Sequence, residues 1–346
     1  MGNRSIKLQA SFWVLLLTIG VMVSHVSEAQ GENPAEFYKG KTIQWIVSSG
    51  AGSTTDLLSR VAAAHLGKEI GAKVKVENMG RNKGLNYAFT RSKPDGLTLV
   101  SKSRTAMLLN DLAGAPGVKY KSAEFNYITD LMVSAGRALF VRQGSPYTTI
   151  ESLRKAKGLK AGGTSARGII VAGAAILFEI IGLDGRVIPG YKSPPKLFLA
   201  LEQDEINLMV FQAAAGLRRV KEGSVKAVFV LGKERFAELP DVPTLEELGV
   251  TIPAEWGDAY TLAGLSGQAV AAPPGVPEER LRFLRETFQK FGNKKEIRKE
   301  IENIVGFWSP FEPGEKMQAA ILEIMSNKAL RDQLKTVVAK YSVAAR

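Results

Sequence analysis

Residues 43–70 read IQWIVS, then SGAGSTT, then DLLSRVAAAHLGKEI. Ile43 to Ser48 is a short apolar run bounded by turn residues, the pattern of a buried strand, and Asp56 to Ile70 sets Leu58, Val61, Ala62, Leu66 and Ile70 on one face at helical spacing. The polar loop Ser49 to Thr55 joins them, and Gly71 supplies the left-handed residue that ends a helix. A buried strand feeding a helix through a short loop is the opening of a β-α-β unit. Lys73 to Asn78 follows with alternating polar and apolar residues, so it reads as a second strand with Val74 and Val76 inward. A short helix at Leu85 to Arg91 and a Pro94-Asp95-Gly96 turn lead to a third strand, Leu97 to Ser101. Strands alternating with helices predict a mostly parallel sheet with right-handed crossovers.

The theme returns after a less regular segment that ends near Ala135. Ala138 to Arg142 reads as a strand, Thr149 to Lys155 as a helix, and Leu159 to Gly162 as a strand entering the loop Gly163 to Gly168. Ile169 to Ile181 carries almost no charge and is expected to be a buried helix. Arg186 to Pro189, Ile206 to Phe211 and Val225 to Leu231 complete a second α/β lobe, with a helix over Leu197 to Leu201. Beyond Pro240 the expectation is a short helix at Leu245 to Leu248, a strand near Tyr260 to Leu265, and charged helices from Glu278 that pack back on the first lobe through Leu281, Leu284 and Phe288. The predicted division is a signal peptide over 1–29, lobe 1 over 30–136 and 240–346, and lobe 2 over 137–239.

Arg4 and Lys7 followed by the apolar run Phe12 to Val23 and by Ser27 and Ala29 read as an export signal with predicted cleavage before Gln30, because the run is short for a membrane span, the alternative being an uncleaved anchor. About 317 residues remain, enough for two cores. The chain has no Cys and only two His, of which His25 leaves with the signal. Disulfides, thiolate catalysis and multi-histidine metal sites are therefore excluded, and no metal or cofactor is expected. Net charge is +12, falling to +11 when two cations and one anion (Arg4, Lys7, Glu28) depart. Such a surface concentrates small anions. Export argues against nucleic acid, and basic clusters such as Arg218, Arg219 and Lys221 read as solvated helix faces.

The first loop, Ser48 to Asp56, brings two glycines, Gly50 and Gly52, and the hydroxyls of Ser49, Ser53, Thr54 and Thr55 to a helix start, where amides and the dipole favour an anion. It lacks the terminal Gly-Lys-Ser/Thr of a phosphate loop and the third glycine of a dinucleotide loop. A capped helix start with no ligand explains the same residues. A matching loop, Gly162 to Gly168, offers Thr164, Ser165 and Arg167 before the second lobe's helix, and two such loops facing across a cleft would hold one ligand between them. Ser101, Tyr191 and Gln212 sit at strand ends, where ligands of open α/β sheets collect. Trp45, Trp256 and Trp308 are expected to pack rather than to bind.

Several stretches, taken in order, resemble the receptors of tripartite tricarboxylate transporters, also called Bug receptors. They are Phe37 to Ile43, the loop closed by Asp56 and continuing Leu57-Leu58-Ser59-Arg60, Glu77-Asn78, Pro94 to Leu99, Gly190 to Ser193, LPDVPTLEELG over Leu239 to Gly249, and APPGVP over Ala272 to Pro277. The resemblance implies an α/β fold of the periplasmic binding protein type II kind, two α/β lobes with a ligand cleft between them. It also implies a periplasmic, non-enzymatic receptor that delivers a small organic acid to membrane permease subunits. For the site it implies carboxylate contacts from Ser49, Gly52, Ser53, Thr54, Thr55 and Asp56 in one lobe and Thr164 and Ser165 in the other. Ser53 and Thr54 stand where the family usually has glycines, Ala51 where proline is common, and Arg81, Asn82 and Lys83 replace a run of small residues. The ligand's identity therefore lies outside what the resemblance implies. Two alternatives are an exported receptor serving a sensor kinase and an exported α/β hydrolase. The second lacks G-x-S-x-G and has only His65, mid-helix, as a base. A monomer is the expected state.

Overall fold

The computed structural model describes residues 33–80, 82–133, 136–164 and 168–343. The expected signal peptide, Arg81, Ser165 and Arg167 lie outside the described residues. The chain divides into two compact units, Met1–Phe37 and Tyr38–Arg346, and everything that bears on the site lies within the second.

Its elements in chain order are β1 (Thr42–Val47), α1 (Thr54–Ile70), β2 (Lys73–Asn78), α2 (Lys83–Thr90), β3 (Thr98–Ser103), α3 (Arg104–Leu112), β4 (Asn126–Asp130), β5 (Arg137–Arg142), α4 (Ile150–Lys155), β6 (Leu159–Gly162), α5 (Ile169–Ile181), β7 (Gly185–Ile188), α6 (Pro194–Glu202), β8 (Met209–Gln212), α7 (Ala213–Lys221), β9 (Val225–Leu231), α8 (Gly257–Gly264), β10 (Gln268–Ala272), α9 (Glu278–Gly292), α10 (Lys295–Val305), β11 (Glu312–Pro313), α11 (Gly314–Ser326) and α12 (Lys328–Tyr341).

A six-stranded sheet runs in the order β11-β4-β10-β3-β1-β2. Strands β1, β2 and β3 are parallel, as expected, while β10 runs antiparallel between β3 and β4. The second lobe holds an antiparallel sheet β8-β5-β9 and a parallel pair β6-β7, joined by a bridge between Ala161 and Leu208. Both lobes are α/β, and Trp45 is fully buried with its ring edge-on to Phe288 at 5.8 Å. Trp256 packs against the core and Trp308 lies 5.9 Å from Phe311.

Three local expectations fail. Tyr260 to Leu265 is not a strand, because α8 covers most of it, and Leu245 to Leu248 forms turns. The segment expected to be irregular holds α3 and β4. Helix α8 buries Ala259, Tyr260, Leu262 and Ala263, a spacing as compatible with a short helix as with a strand.

The late helices divide between two partners. Helices α9, α10 and α11 pack on α1 and β4, as expected, but α8 and α12 pack on α5. Helix α5 is apolar but for Glu179, with ten of its thirteen residues buried, so one sheet cannot cover it. Helix α12 supplies the missing cover: Tyr341 meets Phe178 at 5.5 Å, and both Lys340 Nζ and the Tyr341 hydroxyl reach the Glu179 carboxylate, at 2.7 and 2.8 Å. The strand sets change between β4 and β5 and again between β9 and β10. Lobe crossings near 136 and 240 stay a proposal, with α8 and α12 placed on the second lobe's helix.

Gly314 opens α11 against β4, where a Cβ would lie 2.3 Å from the Tyr127 carbonyl oxygen and 2.5 Å from that of Ile128. Backbone oxygens cannot rotate aside. Gly314→Ala is expected to cost about 1–3 kcal/mol, read as an earlier denaturant midpoint with an unchanged slope.

Candidate functional site

The loop after β1 is held in one shape by a single carboxylate. Asp56 Oδ2 accepts the Gly52 amide at 2.8 Å, and Oδ1 accepts Arg60 Nε and Asn78 Nδ2, both at 2.9 Å. Asn78 also donates to the Ser49 carbonyl at 3.3 Å, joining the end of β2 to the loop. Gly52 sits at φ +74°, which glycine adopts without strain, and Ser53 caps α1 by accepting the Asp56 amide at 3.3 Å. Burial pushes the Asp56 pKa up, but the Gly52 amide, Asn78 and Arg60 outweigh it and hold the group below its ordinary value. Asp56 is thus a positioning residue, and it consumes the Gly52 amide. The donors left for a ligand are the hydroxyls of Ser49 and Thr54 and the amides of Thr54 and Thr55 at the start of α1, which have no partner within the helix.

These groups line a cleft of about 430 Å³, together with Lys102 and Gln268 from the first lobe. Thr55 also lines it, with its hydroxyl donating to Gln268 Oε1 at 2.5 Å, while the Gln268 amide donates to Asp130. Lys102 follows β3's floor residue Ser101 and donates from Nζ to the Ser48 carbonyl at 2.6 Å. It keeps some exposed surface, yet its surroundings are poor enough in water that burial pushes its pKa down to about 8. Ser101 itself is fully buried between Trp45 Nε1 and the Ser59 hydroxyl, at 3.1 and 2.7 Å, and supports the floor from beneath.

The facing wall belongs to the second lobe: Ile169 and Ile170 at the start of α5, Pro194 and Pro195 at the start of α6, with Phe198 and Phe211. Gln212 lines the same cleft and donates to the Ser266 hydroxyl at 3.0 Å. Arg219 stands over the Phe198 ring at 4.4 Å with Nε 3.3 Å from Glu202. A second cavity of about 540 Å³ shares Thr54, Gln212 and Ala215 and extends the cleft towards Arg218 and Lys221.

The expected site residues therefore separate. Ser49, Gly52, Ser53, Thr54, Thr55 and Gln212 come together in the cleft; Asp56 and Ser101 lie behind it. Gly50 is exposed on the loop's outer turn, and neither Thr164 nor Tyr191 is among the lining residues. Tyr191 instead donates its amide to Gly163, and burial followed by Glu205 raises its pKa. Lys102, Gln268 and Arg219 were not expected. Lys102 was findable, one residue past a strand end already singled out. Gln268 arrives on an antiparallel strand more than 200 residues away, and Arg219 looked like one charge among several on a helix.

Arg137, the register partner of Gln212, is fully buried, and its Nε and Nη1 have no hydrogen-bond partner. Burial lowers its pKa to about 9, so it remains a cation next to the cleft at neutral pH. His65 pairs with Glu300 at 3.1 Å and stacks on Phe291, away from the cleft. Among the described residues no cluster of His, Cys, Asp and Glu suits a metal ion, and no helix is long and apolar enough to cross a membrane.

Residues 58–321 match the model of the tripartite tricarboxylate transporter family receptors. The protein BugT of Bordetella pertussis is 28% identical over 245 residues, 68% of this chain and 74% of its own. Two solved structures share the fold: MatC of Rhodopseudomonas palustris, with bound malate (TM-score 0.67, 19% identity, 86% of this chain and 99% of that one), and a second protein of that organism with adipate (TM-score 0.68, 20% identity, 88% and 99%).

Asp56→Asn keeps the size but removes the charge that three donors share. It is expected to cost about 1.5–3 kcal/mol at pH 7. The folded-state pKa is depressed, so Asp56 contributes stability above the unfolded value of about 3.9, and that contribution is lost as pH falls through the folded value. Melting curves from pH 7 to 3 should bring the variant and the parent together at the acid end.

Proposed function

The chain belongs to the tripartite tricarboxylate transporter receptor family, and on that premise we propose that it captures one small organic carboxylate in its inter-lobe cleft, in the periplasm, for delivery to membrane permease subunits. As a family of receptors, its members bind a solute and do not transform it. Export rests on the signal pattern over residues 1–29, and a monomer suffices because both walls of the cleft come from one chain.

The observation that carries the reading is the first-lobe cradle: the N-terminus of α1, with its hydroxyls, opens into the cleft beside the Lys102 ammonium. A helix N-terminus and a poorly hydrated cation both favour an anion, and the hydroxyls and amides suit the two oxygens of a carboxylate. Arg137 adds positive potential from below. The malate and adipate held by the two R. palustris proteins are of the same chemical class. The working site is Ser49, Ser53, Thr54, Thr55, Lys102 and Gln212, with Asp56 and Gln268 as positioning residues. Native mass spectrometry of the purified protein against mono-, di- and tricarboxylates should show one acid bound per chain. A protein that no carboxylate occupies would sink the reading.

Lys102 gives the binding a pH dependence of defined sign. The ammonium is present below its pKa of about 8 and is lost as pH rises through it, so Kd is expected to be flat to about pH 8 and then to rise by up to tenfold per pH unit. Lys102→Met should weaken binding at pH 7 by about tenfold or more and remove that rise; titration calorimetry from pH 7 to 10 checks both.

A further inference from the structure

Most side chains on the second wall of the cleft are apolar, yet two positive groups meet behind them. The first is the start of α5. Gly168 caps it without a side-chain hydrogen bond, Ile169 and Ile170 line the cleft, and the amides at its start have no partner within the helix. That end is also the positive pole of the helix dipole.

The second group is Arg137. It pairs with Gln212 across β5 and β8, and opposed residues of an antiparallel ladder carry their side chains on one face of the sheet. Gln212 lines the cleft beside Ile169 and Ile170. Two residues before Gln212 on the same face, Val210 lies under α5, where a Cβ on Gly173 would stand 3.3 Å from Val210 Cγ1. The start of α5 thus covers the Gln212–Arg137 pair and its next turn covers Val210. Arg137 is 1% exposed, its Nε and Nη1 have no hydrogen-bond partner, and it stays charged at neutral pH. A buried cation beneath a helix N-terminus is unfavourable twice over, through lost hydration and through repulsion by the dipole. An anion entering from the cleft relieves both.

We infer that Arg137 is a specificity-determining residue: with the start of α5 it makes the second lobe attract a second anionic group of the ligand, the first being held by α1 and Lys102. The inference rests on the receptor reading and deepens it. A guanidinium kept for a structural contact stabilises the unliganded protein. One kept for the ligand lowers the stability of the unliganded protein and raises the affinity for an anion.

Arg137→Met removes the charge at similar length. Butanoate and succinate, pentanoate and glutarate, and hexanoate and adipate are pairs of equal carbon number that differ by one carboxylate. Calorimetric titration of the full chain and its variant with these pairs, and melting of both without ligand, test the inference. The parent is expected to prefer the dicarboxylate of a pair, and the variant to lose about tenfold or more of that preference. The unliganded variant should melt at the same temperature as the parent or higher. A variant that melts lower, a variant that keeps the preference, or a parent that lacks it overturns this inference and leaves the receptor reading standing. A parent that binds no carboxylate at all overturns both.

Discussion

The Asp56 carboxylate is the interaction from which the site is built. One loop must leave β1, turn through a left-handed glycine and start α1 within six residues, with its residues lining the cleft. Gly52 and the Ser53 cap allow that shape without strain. Asp56 imposes it by taking the Gly52 amide, and Arg60 and Asn78 fix Asp56 in turn. The carboxylate stays charged because those donors outweigh burial. Loop, helix start and the end of β2 are thereby tied together by hydrogen bonds.

A second set of buried charges lies deeper, where β4, β10 and β11 meet. Asp130 is fully buried and accepts the amides of Gln268 and Met132, while Arg104 stands 3.3 Å from its other oxygen and also reaches Glu312. Burial raises the Asp130 pKa to about 6 despite Arg104. Its ionisation therefore opposes folding as pH rises from about 4 towards 6, the reverse of Asp56. Buried ion pairs of this kind add little net stability but strongly penalise arrangements that separate them. Here they hold Gln268 in register, and through Gln268 they hold Thr55. The charge behind the floor thus reaches the cleft through two hydrogen bonds.

Arg137 has no such compensation. A guanidinium with two partnerless nitrogens is costly to bury. A cation in such poorly hydrated surroundings attracts an anion over a longer range than a surface pair does.

The amino-acid sequence by itself determined the class of fold, the parallel opening of the first sheet, the cradle over Ser49 to Asp56 and the family, because each is written in local periodicity, turn chemistry or the order of short motifs. Periodicity does not say which surface an amphipathic helix will cover, so α12 went to α5, whose largely apolar surface only becomes a demand once the lobe exists. Nor does it register contacts across long separations. Gln268 meets Thr55 because an antiparallel strand returns between β3 and β4, and Arg219 faces the cleft because α7 packs under β5. The same limit hid the apolar wall: Ile169 and Phe211 read as parts of a buried helix and a strand in their own stretches, and nothing local singles out Pro194. Tertiary structure alone decided that they stand together opposite a polar loop, since a cleft is a relation between surfaces that no single stretch of sequence contains.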